Sequence, residues 1–234
     1  MKNVYIEGLR IDWERIPRDS YLHGISVLKN SPNIKFEQPI TFLVGENGVG
    51  KSTLLEAIAI EYGYNAEGGT KNYNFTTYGD DVSPLHDAIT LIKGVKRPKF
   101  GYFFRAETFY NVATASQIQY MGTDYYHTHS HGESNLSFLA YDKPGLYLMD
   151  EPEAALSPQR QLVLLKHIHD MANSGSQFII VTHSPILLGC PNAQILSLDG
   201  DKVLRCEHED TMSYQITKMF LLDKERILKE LLYK

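Results

Sequence analysis

Ile40-Thr41-Phe42-Leu43-Val44, Gly45-Glu46-Asn47-Gly48-Val49-Gly50-Lys51-Ser52 and Thr53-Leu54-Leu55-Glu56-Ala57-Ile58-Ala59-Ile60 follow one another without a break, and their order decides the fold. The first run is short, apolar and β-branched, the composition of a buried strand. The last carries apolar residues at helical spacing. Between them stands G-x-x-x-x-G-K-S, the pattern of a phosphate loop. Its glycines let the backbone turn tightly and aim successive N–H groups into one concavity. The helix behind it adds its positive end. Lys51 is placed to reach the β- and γ-phosphates of a nucleoside triphosphate, and the Ser52 hydroxyl to help hold Mg²⁺. Gly45 to Thr53 are therefore the candidate phosphate-binding set. The plain alternative is a glycine-rich turn that binds nothing; the flanking strand and helix argue against it.

Working outward, 234 residues suffice for one large α/β domain or two small ones with a substantial core. A hydrophobic content of 43% and a charged content of 22% are those of a globular chain. The net charge of -5 argues against a generally basic nucleic-acid binder. Two cysteines, Cys190 and Cys206, make no disulfide or metal framework and suit a reducing compartment. No apolar run approaches the roughly 20 residues that span a bilayer, and Met1 to Glu7 lack the apolar core of a signal peptide. A cytoplasmic location is the expectation.

The N-terminal third reads mostly as strands, with Val4 to Ile11 and Tyr21 to Leu28 clustering apolar residues between prolines. A helical stretch at Leu85 to Ile92 precedes a strand at Phe100 to Phe104. Gly145-Leu146-Tyr147-Leu148-Met149 and Gln177-Phe178-Ile179-Ile180-Val181 read as buried strands bracketing a helix from Ser157 to Asn173. A strand pair between Ala193 and Arg205 and a final helix from Ser213 to Leu232 close the chain. Strands alternating with helices predict an α/β fold with a mostly parallel central sheet, beside an N-terminal antiparallel β region. The apolar stripe of the final helix, from Ile216 and Met219 to Leu232, reads as a packing face.

The strand Leu146 to Met149 ends in Asp150-Glu151-Pro152. A nucleotide site needs an acid at such a strand end to hold Mg²⁺, and Asp150 fits; Glu151 is placed to act as general base on an attacking water. Phe178-Ile179-Ile180-Val181-Thr182-His183-Ser184 puts His183 at the same sheet edge, where ligands of open α/β sheets gather. From there His183 can donate to a γ-phosphate or hold the water. Exposed acids and a structural histidine are the plain alternatives.

Phosphate loop, strand-Asp-Glu-Pro, a short Ala-Leu-Ser turn and strand-Thr-His-Ser, in this order and over nearly the whole chain, resemble the ATP-binding-cassette (ABC) ATPases. The resemblance implies a P-loop ATPase head, here one domain over residues 1–234, with ATP and Mg²⁺ as ligands. It implies that Ala154-Ala155-Leu156-Ser157 is the inter-subunit loop and His183 the switch histidine. It also implies that Ser130-His131-Gly132-Glu133 aligns with the Ser-Gly-Gly-Gln part of the family's Leu-Ser-Gly-Gly-Gln signature, within a reduced signature subdomain over about 108–135. Ser130, Gly132 and Glu133 would then cap ATP held by a second copy. His131 and Glu133 depart from that signature. His127, His129 and His131 alternate as metal ligands on a strand do, but no further cluster completes a site. The family's glutamine loop has no Gln after Phe104; Glu107 as a contact to Mg²⁺ and Arg105 as a contact to phosphate both stand as replacements. Tyr21 and Trp13 both stand as the aromatic over adenine.

Asp150-Glu151-Pro152-Glu153 resembles the soluble recombination, chromosome-maintenance and overcoming-lysogenization branch, and within it the compact stand-alone AAA ATPases. The short interval between Glu107 and Ser130 leaves no room for a long coiled coil or a full transporter helical subdomain. The expected activity is Mg²⁺-dependent ATP hydrolysis that drives closure of a head-to-tail homodimer. The expected setting is DNA repair, nucleic-acid processing or phage defence, with a separate effector protein or nucleic acid as partner. The alternatives are the ATP-hydrolysing subunit of a membrane transporter, docked on a permease, and an ATP-gated interaction module with negligible turnover.

Overall fold

Strands in this protein divide into two sheets of different character. The computed structural model describes residues 4–70, 82–106, 143–154 and 156–233. The larger sheet has six strands in the order β5-β6-β7-β3-β8-β9: β3 is Ile40–Val44, β5 Phe100–Arg105, β6 Gly145–Asp150, β7 Gln177–Val181, β8 Gln194–Ser197 and β9 Leu204–Cys206. All its neighbouring pairs are parallel except β8 with β9. Every residue of β3, β6 and β7 is buried. Burial on both faces is why these strands read as continuous apolar runs rather than alternating ones. The smaller sheet is antiparallel, β2 (Asn33–Lys35), β1 (Ile6–Ile11) and β4 (Ile89–Lys93), with Leu9 of the central β1 opposite both Ile34 and Leu91.

Because successive strand residues face opposite ways, the large sheet feeds two cores. Leu43, Leu148 and Ile179 join Leu9, Leu28, Leu54 and Ile58 in one. Phe42, Met149 and Ile180 join Leu164 and Ile168 in the other. Each such fully buried side chain contributes roughly 1.5–3 kcal/mol of transfer free energy. Helix α2 (Lys51–Tyr62) packs against β4 as well as β6 and β7, and its buried positions run around much of its circumference. It ends at Gly63, whose φ of 97° and N–H bonds to Ala59 and Ile60 carbonyls form a glycine cap. Helix α4 (Pro158–Asn173) covers the second core and starts at the Ser157 cap, followed by Pro158.

Two glutamines tie the sheets together. Gln177, at the start of β7 and fully buried, accepts from the N–H groups of Tyr5 (2.7 Å) and Ile6 (2.8 Å) and donates to the Ile6 carbonyl at 2.8 Å. Gln194, at the start of β8, accepts from Glu37 N–H at 2.8 Å and donates to the Lys35 carbonyl at 3.1 Å.

Three sequence expectations change. Tyr21 to Leu28 is not a strand: Ser20 Oγ accepts from Leu22 N–H, opening a 3-10 turn (Tyr21–Gly24), and helix α1 (Ser26–Lys29) follows. Leu22, Val27 and Leu28 are buried by that turn-and-helix path, which satisfies the same apolar cluster without alternation. Leu85 to Ile92 is one helical turn, α3 (Leu85–Ala88), and then β4, because pairing with β1 overrides the local helical spacing. The final helix is broken at Asp223 into α6 (Met212–Leu222) and α7 (Lys224–Leu232), and neither buries a residue; Ile216, Met219 and Phe220 are exposed, so within the described residues the stripe is not a packing face. Helix α5 (Pro185–Leu188) lies between β7 and β8 in sequence.

Candidate nucleotide site

The loop after β3 takes the conformation its glycines permit. Gly45, Gly48 and Gly50 have φ of 147°, 84° and 98°, a region costly for any residue with a Cβ. At Gly50 a Cβ would also lie 2.9 Å from Ile25 Cγ2. Lys51 is buried, and its Nζ donates to the carbonyls of Gly45 (2.7 Å) and Glu46 (2.8 Å). Burial lowers its amine pKa, opposed by the charges of Glu151, Asp199, Asp150 and Glu46. Asp199, just past β8, accepts from Glu46 N–H at 2.6 Å and so anchors the loop from the neighbouring strand. Sequence reasoning missed Asp199; its position after an apolar strand at the same sheet edge was the available signal.

Ser52 and Asp150 meet side chain to side chain, hydroxyl to Oδ1, at 3.0 Å. Asp150 is 9% exposed and ends β6, opposite Val181 of β7. Strand β7 lies between β3 and β6, so Lys51, His183 and the acid pair lie along one edge. The next residue, Glu151, adopts φ of 49°, a left-handed conformation uncommon outside glycine and typical of constrained functional turns. Its Oε1 is 3.9 Å from His183 Nε2, and both side chains are partly exposed. That separation exceeds a direct hydrogen bond and suits a water in reach of both. Glu153, two residues on, accepts from His183 N–H at 2.7 Å.

A cavity of about 510 Å³ opens over the loop, lined by Asn47, Gly48, Gly50, Lys51, Ser52, Thr53 and Glu151 together with Tyr21, Gly24 and Ile25. Val49 instead packs against the core. A smaller space of about 130 Å³ lies between Gly45, Glu46, His183 and Asp199 and the start of α6. Tyr21 thus borders the loop, whereas Trp13 packs on the core and faces His23, ring centroids 5.9 Å apart.

Other expected residues are not brought in. Arg105 ends β5 opposite Asp150, but its Nη1 donates to Glu56 at 2.7 Å and to the Ala66 carbonyl at 3.1 Å. Its guanidinium therefore braces β5 against α2 rather than facing the phosphate loop. Ser157 caps α4 through Arg160 N–H. Glu107, Ser130, Gly132 and Glu133, and the histidines at 127, 129 and 131, lie outside the described residues, as does Ala155. Among the described residues no cluster of three metal-ligating side chains occurs, and no helix is long and apolar enough to cross a membrane.

A glycine loop between a central parallel strand and a helix, with an acid pair at the end of β6 and a histidine just past β7, is the arrangement of the P-loop nucleotide-binding fold. Comparison with known proteins agrees: residues 21–97 match the AAA domain model and residues 136–188 the AAA ATPase domain model. In both matched segments, and over most of its length, the chain is similar to AAA-type and ATP-binding-cassette ATPases. A similar relative is the cell division ATP-binding protein FtsE of Bacillus subtilis, 20% identical over 215 residues, covering 80% of this chain and 92% of that one. Among solved structures, cbiO1 from Clostridium perfringens, part of the ABC transporter complex cbiONQ, is 16% identical, covers 97% of this chain and 100% of its own, and has a TM-score of 0.48. The SMC head domain from Thermotoga maritima is 14% identical, with 87% and 98% covered and a TM-score of 0.46.

Proposed function

We propose that this chain binds ATP with Mg²⁺, hydrolyses it to ADP and phosphate, and uses the bound nucleotide to close a head-to-tail pair of copies. The observation that carries this reading is convergence: Lys51, Ser52, Asp150, Glu151 and His183 come from three strand ends yet gather on one edge of one sheet, four of them around the loop cavity or hydrogen-bonded into it. The N–H groups of Gly45 to Thr53 cradle the phosphates, and Lys51 exchanges its two loop carbonyls for phosphate oxygens. Tyr21 supports the base. Ser52 and Asp150 offer the hard oxygen donors that fit Mg²⁺, which neutralises charge on the phosphates when bound. Glu151 takes the proton of the attacking water as its oxygen bonds to the γ-phosphorus and the ADP oxygen leaves; His183 holds the water or the γ-phosphate.

Closure requires a second copy whose Ser130, Gly132 and Glu133 cover the γ-phosphate, with Glu107 a further candidate beside the metal. Two such sites related by a two-fold axis would hold the pair, and hydrolysis would loosen it. The test is Glu151→Gln: it should keep ATP affinity, lose turnover and sediment as a dimer with ATP and Mg²⁺. A monomer under saturating ATP would remove the dimer from this account.

The setting supported by the Asp150-Glu151-Pro152-Glu153 pattern and the short stretch between Glu107 and Ser130 is the soluble branch, acting in DNA repair, nucleic-acid processing or phage defence. Stimulation of turnover by DNA or RNA checks it. The second reading, an energy subunit on a membrane permease, draws on the exposed apolar face of α6, a surface of the kind that marks a docking site. Co-purification of a permease would decide for it.

A further inference from the structure

We propose that Glu153 is a positioning residue for the hydrolytic step: its carboxylate holds the His183 main chain so that the imidazole stays beside Glu151. This rests on the ATPase reading above. Glu151 and Glu153 belong to one turn after β6, closed by the Ala154 N–H bond to the Glu151 carbonyl at 3.0 Å. The left-handed Glu151 and the fixed φ of buried Pro152 set the directions of the two acids. Both then address the same neighbour: Glu151 Oε1 lies 3.9 Å from the His183 ring, and Glu153 Oε1 accepts the His183 amide at 2.7 Å.

The residues on either side of His183 are fixed independently. Ser184 N–H donates to Thr182 Oγ1 at 3.0 Å, and Ser184 Oγ donates to Gln161 Oε1 at 2.6 Å. The Glu151 N–H donates to the Val181 carbonyl at 3.0 Å, and beyond it the His183 amide ties the β7 turn to the β6 turn by a charge-assisted bond, roughly twice as strong as a neutral one. Glu153 Oε2 is shielded from solvent and has no hydrogen-bond partner among the described residues. An unsatisfied buried carboxylate oxygen is destabilising, and such local conflicts with stability are found where a site constrains its surroundings.

Purified full-length chain tests this through Glu153→Ala, Glu153→Gln, His183→Ala and the Glu153→Ala/His183→Ala pair. Glu153→Ala should lower kcat by about tenfold or more while KM and ATP affinity stay within about twofold, the pattern of a lost transition-state interaction. Glu153→Gln keeps an acceptor oxygen and should recover most of the rate. The double variant should turn over no more slowly than His183→Ala alone, since Glu153 acts through that ring. A further fall in the double variant, or equal losses of affinity and rate, overturns the assignment. Wild-type protein without turnover overturns the hydrolytic reading and the step Glu153 serves. Normal wild-type turnover left undisturbed by Glu153→Ala overturns the positioning role alone. The His183 amide resonance reads the contact without turnover: it should move upfield in Glu153→Ala, and an unmoved signal counts against the proposal.

Discussion

The Ser52 hydroxyl donates to Asp150 Oδ1 at 3.0 Å, joining the first turn of α2 to the end of β6 at the point where a phosphate-bound cation would sit. Both groups are hard oxygen donors of the kind that hold Mg²⁺. Ser52→Ala should therefore reduce the gain in ATP affinity that Mg²⁺ confers, by about tenfold. Asp150→Asn should remove turnover while leaving Mg²⁺-free ATP binding near wild type. Titration of a fluorescent ATP analogue with Mg²⁺ and with EDTA checks both. Equal Mg²⁺ dependence in wild type and Ser52→Ala would move the cation elsewhere.

Lys51 is buried, with its ammonium on two loop carbonyls. Lys51→Ala removes the one side-chain cation among the described residues that line the loop cavity and should weaken ATP binding by about 1.5–3 kcal/mol, the range for a hydrogen bond to a charged group. Calorimetric titration measures it. Unchanged affinity would overturn the loop assignment.

Tyr21 and Trp13 separate by measurement. Tyr21 borders the cavity and is 59% exposed, whereas Trp13 packs on the core. Tyr21→Ala should weaken ATP by about 1–3 kcal/mol, as removal of a base-stacking ring does, and Tyr21→Phe should leave binding unchanged. Trp13→Ala should lower the urea midpoint with ATP affinity kept. The reverse pattern would assign the base to Trp13.

Much of the site was legible because its residues sit at strand ends and in a contiguous loop. Gly45 to Ser52, Asp150-Glu151 and His183 each follow an apolar run, and a parallel sheet brings such ends to one edge. What was not legible depends on pairing across the chain. Tyr21 to Leu28 shares its apolar residues with a strand pattern, and the Ser20 cap that decides otherwise is a single hydroxyl. Arg105 was a candidate for phosphate until Glu56, on another element, claimed it. Glu153 and Asp199 act through backbone amides of residues far away in sequence, and no spacing rule announces that. The α6 stripe shows that amphipathic spacing identifies an apolar face without naming what covers it.

Gly50 joins the loop to α2 at φ of 98°. Gly50→Ala meets both that dihedral and Ile25 Cγ2, and should destabilise the fold by about 1–3 kcal/mol, the cost of a strained left-handed residue. Adding Ile25→Ala frees the space but not the dihedral, so it should not restore the urea midpoint. Full recovery in the double variant would show that contact, not backbone strain, sets the glycine requirement.

Gln177 carries the last expectation. Its side chain makes three hydrogen bonds to the main chain of Tyr5 and Ile6 with no exposure to water. Gln177→Leu keeps the approximate volume but leaves two N–H groups and a carbonyl facing an apolar atom. Each orphaned group costs about 1–3 kcal/mol if water cannot reach it, so the fold should lose a few kcal/mol in urea unfolding. Gln177→Glu keeps the acceptor for both N–H groups but turns a carboxylate oxygen toward the Ile6 carbonyl, and should recover stability only below the carboxyl pKa, where a proton restores the donor. Rising stability of Gln177→Glu on acidification, measured against wild type at each pH, would show that this amide, beside that of Gln194, joins the antiparallel sheet to the large sheet. Equal pH profiles would place that junction in the surrounding apolar core instead.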